Sequence, residues 1–384
     1  MNAPVGTPQT DLALLVSFSG AGGVERMVLN LVNAIAAHGI RVDLLLIKTD
    51  SRHLQDIHPS VNRIDLGTGH TLTSLPPLTA YLKRARPRCL LAAKDRAGRI
   101  AVIARALAGV SETRLGLRLG TNLTAAFAHK SPWRMWLRRL PIRLLYPRID
   151  AIIAVSEGVR QDTLAISGVE PSRVHVVRNP VITPKLAEAA AAPIPHPWLE
   201  EPDLPVILGA GRLTLQKDFP LLLRAFARLR ASRPCRLIIL GEGRQRQPLE
   251  ALAAELGITE DLALPGFTPN PYVYMRHAHL FALSSRWEGS PNVLTEAMAL
   301  GTPVVATDCP SGPDELLDSG RIAPLVPVGD WRALADAMAQ VLDHPPAGET
   351  MQQAVSEYNA ETSANHYLEI LGLKPLSATH AAID

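Results

Sequence analysis

Leu12-Ala-Leu-Leu-Val16, the small-residue loop from Ser17 to Gly23, the segment 24–38 and Val42-Asp-Leu-Leu-Leu-Ile47 together decide the fold. An apolar run of strand length bounded by turn residues reads as a buried strand. Segment 24–38 reads as a helix, and Gly39 closes it. Strand, helix and strand, with both strands apolar throughout, make a unit of parallel sheet covered on both faces.

The same alternation continues outward with a strand at 89–93, a helix at 96–108 and a strand at 151–155. It breaks over 182–204, an Ala- and Pro-rich stretch that holds Pro184, Pro193, Pro195, Pro197 and Pro202 and reads as a linker. A second alternation follows, with strands at 206–209, 237–240, 262–264, 279–283 and 303–307. Helices are expected at 218–231, 247–256 and 330–343, and a last one over 351–371. The expected fold is α/β, two doubly wound Rossmann-like domains facing each other across a cleft. Domain one spans 1–181, the linker 182–204 and domain two 205–357, and a tail helix at about 358–373 returns to domain one. A chain of 384 residues accommodates two such cores.

Composition narrows the class. Hydrophobic residues are 47% and charged ones 20%, which is globular. No apolar run reaches membrane-spanning length, and the N-terminus lacks the pattern of a secretory leader. Three scattered cysteines, Cys89, Cys235 and Cys309, fit a reducing cytoplasm and form no zinc pattern. Residues 1–181 carry 24 basic and 12 acidic side chains, whereas residues 182–384 carry 15 and 24. The basic half is expected to meet something anionic.

Chemistry concentrates in Arg286-Trp287-Glu288-Gly289-Ser290-Pro291-Asn292-Val293-Leu294-Thr295-Glu296-Ala297. Ser290 is a good N-cap and Pro291 suits the first helical position. Gly301 and Pro303 end the helix. A helix start offers unpaired N–H groups and a positive dipole end, and so holds phosphate. Glu288 and Glu296 beside that cradle can accept hydrogen bonds from sugar hydroxyls. This spacing, followed by Gly301-Thr-Pro-Val-Val, resembles the donor-site signature of retaining glycosyltransferases of family four, which have the two-domain GT-B architecture. A capped amphipathic helix with Glu296 on its polar face is the plainer alternative.

Gly209-Ala-Gly211-Arg212-Leu213, with Lys217 and Asp218 beyond it, resembles a second signature of that family. A departing nucleoside diphosphate gains negative charge, and two fixed cations stabilise that change. The resemblance gives Arg212 and Lys217 to the diphosphate. It gives Gly289, Ser290, Asn292, Val293 and Leu294 to the distal phosphate, Glu288 to the donor sugar and Glu296 to the ribose. Gly211 and Gly243 would lie near the nucleotide, although a tight strand–helix turn explains Gly241-Glu242-Gly243 as well. Phe267, after Pro265-Gly266, would meet the base or else belong to the core. Gly20-Ala-Gly22-Gly23 is not a dinucleotide fingerprint, because Glu25 stands where a glycine is required. The family places a glycine-rich loop there, and Gly22 and Gly23 would abut the sugar-phosphate; a tight turn is the alternative. Ser156-Glu157-Gly158 is a family segment or a simple cap, and Arg178-Asn179-Pro180 marks the crossover between domains.

One departure from the family concerns a first-domain histidine. The matching region reads Arg118-Leu119-Gly120-Thr121-Asn122-Leu123, with no histidine until His129, so no catalytic histidine is assigned. Thr121 or Asn122 would take over its hydrogen bond. There is no Asp-x-Asp triplet, and no metal or cofactor is expected beyond the donor itself. The basic, aromatic segment 130–146 is expected to contact an anionic membrane surface. No nucleic-acid motif is present.

The resemblance implies transfer of a sugar, with retention, from a nucleotide sugar of UDP type to a glycan or lipid-linked acceptor of a surface polysaccharide such as capsule or lipopolysaccharide. The acceptor hydroxyl would attack from the front face, and domain closure would exclude water. A nucleotide-sugar epimerase of the same architecture and a silent sugar- or lipid-binding scaffold are the rivals. A glycosidase using Glu288 and Glu296 would leave the phosphate-holding groups idle.

Overall fold

A computed structural model describes residues 10–18, 22–50, 52–128, 131–200 and 204–373. Residues up to Pro180, together with those from Ala360 onward, form one compact unit, and Val181–Asn359 form the other.

The first unit runs β1 (Leu12–Phe18), α1 (Gly23–Ala37), β2 (Val42–Thr49), β3 (Asn62–Asp65), α2 (Leu75–Ala85), β4 (Cys89–Ala92) and α3 (Asp95–Ala108). It continues with β5 (Arg114–Leu119), α4 (Leu123–Phe127), α5 (Pro132–Leu145), β6 (Ala151–Ala154), α6 (Glu157–Ser167) and β7 (Val174–Val176). The sheet is parallel, in the order β3-β2-β1-β4-β5-β6-β7. Side-chain alternation along β1 divides the core. Ala13 and Leu15 enter one apolar cluster, while Leu12, Leu14, Val16 and Phe18 enter the other. Both faces are therefore covered, which is why the strand reads as an unbroken apolar run.

The second unit runs α7 (Pro184–Ala190), β8 (Val206–Ala210), α8 (Phe219–Arg230), β9 (Arg236–Leu240), α9 (Arg246–Glu255), β10 (Leu262–Gly266) and α10 (Tyr272–His277). Then come β11 (Leu280–Leu283), α11 (Asn292–Ala299), β12 (Val304–Thr307), α12 (Pro313–Leu316), β13 (Leu325–Val326), α13 (Trp331–Asp343) and α14 (Gly348–Ala354). Its parallel sheet has the order β10-β9-β8-β11-β12-β13. Val206 and Leu208 face one cluster and Ile207 the other.

Two expectations change. The Pro-rich stretch read as a linker is folded into the second unit, where Leu186, Ala190 and Leu199 are buried. Its prolines do not break structure, because Pro184 and Pro197 sit at helix starts where no N–H is needed. Pro202 lies outside the described residues. The terminal segment is not one helix either. Tyr358 is buried in the core of the second unit, and its carbonyl accepts the amides of both Val181 and Ile182. Only after that break does α15 (Ala360–Leu371) begin. Its Ala364, Tyr367, Leu368 and Leu371 join the first unit's core beside α1. Gly116 in β5 makes room for it, since a Cβ there would lie 2.8 Å from a Leu371 methyl carbon. Among the described residues no helix is long and apolar enough to cross a membrane.

Candidate active site

In the second sheet the strand order reverses between β8 and β11, and ligands of open α/β sheets bind at the carboxyl ends of strands at such a crossover. The loops after β8 and β11 are tied together there. The Arg286 amide donates to the Gln216 carbonyl at 2.8 Å, and the Gln216 side-chain amide donates to the Trp287 carbonyl at 2.9 Å. Ser284 Oγ donates to the Lys217 carbonyl at 2.7 Å. The Arg286 guanidinium grips Asp218 at 2.7 and 3.2 Å. Asp218 itself is left-handed, with φ 46°, and carries the chain into α8.

This seam brings Lys217 and Glu288 into an ion pair, Nζ to Oε1, at 2.7 Å, with side chains 15% and 8% exposed. A carboxylate so buried must be compensated by charge and hydrogen bonds. Ser285 Oγ donates to the same oxygen at 2.7 Å, and Gln216 approaches Oε2 at 3.4 Å. Thr307 in turn holds the Ser285 carbonyl at 2.6 Å. The buried Cys309 thiol is pushed far above its ordinary range, by burial first and by the Glu288 charge second.

Glycines bring the loops together. Gly211 has φ 152°, and a Cβ there would lie 2.9 Å from Lys217 Cε. A Cβ on Gly241, φ 131°, would lie 1.9 Å from the Gly211 oxygen, and one on Gly243 would lie 2.3 Å from the Leu213 oxygen. Packing between the two loops thus requires glycine at 243 without any ligand.

The motif helix starts one residue later than expected. Pro291 is its N-cap, and the Pro291 carbonyl accepts from both Leu294 and Thr295. Ser290 is therefore not the cap. Its Oγ is buried with no hydrogen-bond partner among the described residues. Leu294 also leaves the set of open amides, because its N–H is used at 2.9 Å. The amides of Gly289, Ser290 and Val293 have no partner among the described residues. Asn292 is the first residue of α11. Gly312, with φ 105°, lets the loop after β12 press on Pro291 and Ser290.

Three further expected side chains belong to the same unit. Phe267, just past β10, is 46% exposed, which removes the core alternative. Arg212 is exposed, with no ion-pair partner among the described residues. Glu296 is 5% exposed on α11, where the Tyr272 hydroxyl approaches Oε1 at 3.4 Å.

The remaining expected residues lie in the first unit. Gly22 is the N-cap of α1 with extended backbone, and a Cβ there would meet nothing within 4 Å. Neither strain nor crowding calls for glycine at that position. Gly23 opens α1, while Gly20 lies outside the described residues. At the position of the missing histidine, Asn122 is occupied as the N-cap of α4, accepting the Ala125 amide at 2.9 Å. Ser156 likewise caps α6. Arg118 is buried beneath Gly120 and donates to Asn179 Oδ1 at 2.7 Å. Burial lowers its pKa, and the Tyr367 hydroxyl from α15 opposes that shift. His129 and Lys130 lie outside the described residues.

Two family profiles match this chain. "Glycosyl transferase 4-like domain" matches residues 22–180, and "Glycosyl transferases group 1" matches residues 193–361, which carry the whole β8–β11 seam. The chain belongs to the family-four glycosyltransferases. It is an enzyme of the GT-B fold. A relative from Campylobacter jejuni, N-acetylgalactosamine-N,N'-diacetylbacillosaminyl-diphospho-undecaprenol 4-alpha-N-acetylgalactosaminyltransferase, is 29% identical over 345 residues, 86% of this chain and 90% of its own. A lipopolysaccharide core biosynthesis glycosyltransferase of Rhizobium meliloti, LpsE, is 26% identical over 93% of this chain and 98% of its own. Among solved structures, sucrose-phosphate synthase from Thermosynechococcus elongatus superposes with a TM-score of 0.79 at 21% identity, covering 94% of this chain and 98% of that one. Anabaena HepE in complex with UDP and glucose gives 0.75 at 19% identity, over 95% and 100%. At that identity these two structures establish the fold alone.

Sequence reading of this glycosyltransferase missed the residues that hold Glu288 in place. Ser285, Gln216 and Thr307 carry no motif of their own. Two consecutive serines at the end of an apolar strand are the one signal that could have pointed to them.

Proposed function

We propose that this enzyme transfers a sugar, with retention of anomeric configuration, from a UDP-sugar to a lipid-linked glycan acceptor. The observation that carries this reading is the Lys217–Glu288 pair at the crossover of the second sheet. Lys217 supplies a positive charge for the diphosphate and Arg212 a second one. Ser290 Oγ and the amides of Gly289, Ser290 and Val293 take the distal phosphate, with Asn292 beside them. Glu288 orients the donor sugar, Glu296 takes the ribose hydroxyls and Phe267 stacks on the base. Gly22 and Gly23 serve the sugar-phosphate through close backbone approach. No residue is assigned as nucleophile. The acceptor hydroxyl forms the new bond to the anomeric carbon on the face the diphosphate leaves, and the departing phosphate oxygen takes its proton. No metal or further cofactor enters this scheme. UDP is favoured as the nucleotide by the HepE complex. A lipid-linked or lipopolysaccharide acceptor is favoured by the names of the relatives, and with such an acceptor we expect the reaction at the cytoplasmic side of a membrane.

Donor binding tests this reading. Calorimetry and thermal shift with UDP, GDP and ADP should give stabilisation by UDP. Glu296→Ala should weaken binding about tenfold or more, since a buried hydrogen bond from a charged group is worth about 1.5–3 kcal/mol. Phe267→Ala should cost about 1 kcal/mol of affinity while leaving the melting temperature nearly unchanged, because an aromatic stacking pair is worth about that much and this ring is exposed. A folded protein stabilised by no nucleotide would refute the donor site. Sugar release without any acceptor requirement would refute transfer and favour an epimerase.

A further inference from the structure

Helix α5 of the first unit presents the wrong face to solvent. Its inward side is Ile142, 1% exposed, flanked by Arg138 and Leu145, and the helix packs on α6 and α3. Just past its end Tyr146 is fully buried, and its hydroxyl donates to Asp95 at 2.9 Å. Arg138 lies over the Phe127 ring at 4.6 Å, so this cation is committed to the protein. On a helix of 3.6 residues per turn, Trp133, Trp136, Leu137, Leu140 and Leu144 share an arc of roughly 100°, opposite Ile142. That arc is exposed: Trp133 61%, Trp136 63% and Leu144 56%. A helix packed for solubility alone would carry polar residues there. Arg139 and Arg143, both exposed, lie along one flank of the arc. From Leu123 to Ile149 the sequence has six Lys and Arg and no Asp or Glu.

We infer that α5 is an in-plane anchor that seats its Trp–Leu face in an anionic lipid bilayer, with Arg139 and Arg143 at the headgroups. Charge complementarity decides the occupant. An acid-free, arginine-flanked apolar arc fits phosphatidylglycerol-type headgroups, whereas against a second copy of itself it would place arginine against arginine. Pro141 does not prevent the helix, and it lies off both the buried and the exposed arcs.

The test uses the full chain without donor or acceptor, so its outcome is independent of the donor-site reading. Flotation is measured with equimolar phosphatidylcholine–phosphatidylglycerol vesicles and with phosphatidylcholine alone. Wild type should bind the anionic vesicles, weakly at high salt, with a blue shift of tryptophan emission. Trp136→Glu/Leu140→Glu should reduce partitioning by at least about tenfold. Arg139→Gln/Arg143→Gln should reduce it about fivefold per arginine, and only on anionic vesicles. All four positions are exposed, so circular dichroism should show folded variants. Failure of folded wild type to bind at low salt overturns the inference, as does binding that ignores both variant pairs. A dimer in sedimentation velocity that Trp136→Glu dissolves, without vesicle binding, assigns the face to a second copy and overturns it too.

Discussion

Lys217→Ala should lower turnover about 10²–10³-fold, the usual loss when one preorganised charge-stabilising donor is removed. The structure adds a second effect that the sequence alone did not expose. Lys217 is also the cation for Glu288, whose side chain is 8% exposed. Among the described residues, truncation leaves that carboxylate with Ser285 and Gln216 as its side-chain partners, at a cost of about 1–3 kcal/mol. The melting temperature should therefore fall by a few degrees, about 2–4 °C per kcal/mol in a domain of this size. The two effects separate in the double variant Lys217→Ala/Glu288→Gln, which removes the stranded charge. Its melting temperature should recover while its turnover stays low. If turnover recovered with the melting temperature, Lys217 would be a structural residue, and the diphosphate role would be wrong.

Gly241→Ala should be the most damaging small substitution in the second unit. The added Cβ would lie 1.9 Å from the Gly211 oxygen, at φ 131°, where side chains are strained as well. A sparsely populated backbone conformation costs about 1–3 kcal/mol, and overpacking a further 1–3 kcal/mol. Loss of about 2–6 kcal/mol should appear in urea unfolding as a lowered midpoint with an unchanged slope. Gly22→Ala is the control, since its Cβ would enter open space and its backbone is extended. It should leave the unfolding midpoint where it is. Equal midpoints for wild type and Gly241→Ala would show that the contact between the two loops relaxes freely.

Much of this architecture can be read from residue order. Buried parallel strands announce themselves as apolar runs, and β1, β2, β8 and β9 fall where their runs fall. Edge strands do not. β3 is Asn-Arg-Ile-Asp, largely exposed, with no pattern to find. α7 was hidden by composition, because proline count says breaker while proline position says helix start. At the site, glutamate spacing and the Arg-x4-Lys run point to candidate side chains, but not to which of them touch. Lys217 and Glu288 are 71 positions apart, and their contact follows from the reversal of strand order. Helix register was beyond sequence reading as well. Ser290 looks like a cap, but the Pro291 carbonyl takes the first amides, and Ser290 Oγ is buried without a partner among the described residues.

The return of α15 to the first unit sets the order in which the protein can be completed during synthesis. Val181–Asn359 is continuous, so the ribosome delivers every strand of that unit before its last residue emerges. The first unit begins earlier but lacks Ala364, Tyr367, Leu368 and Leu371 of its core until α15 appears. Arg118 meanwhile waits for the Tyr367 hydroxyl that engages it. The half made first is thus finished last, and once the residues up to Asn359 have left the ribosome the second unit has all of its chain while the first still lacks part of its core.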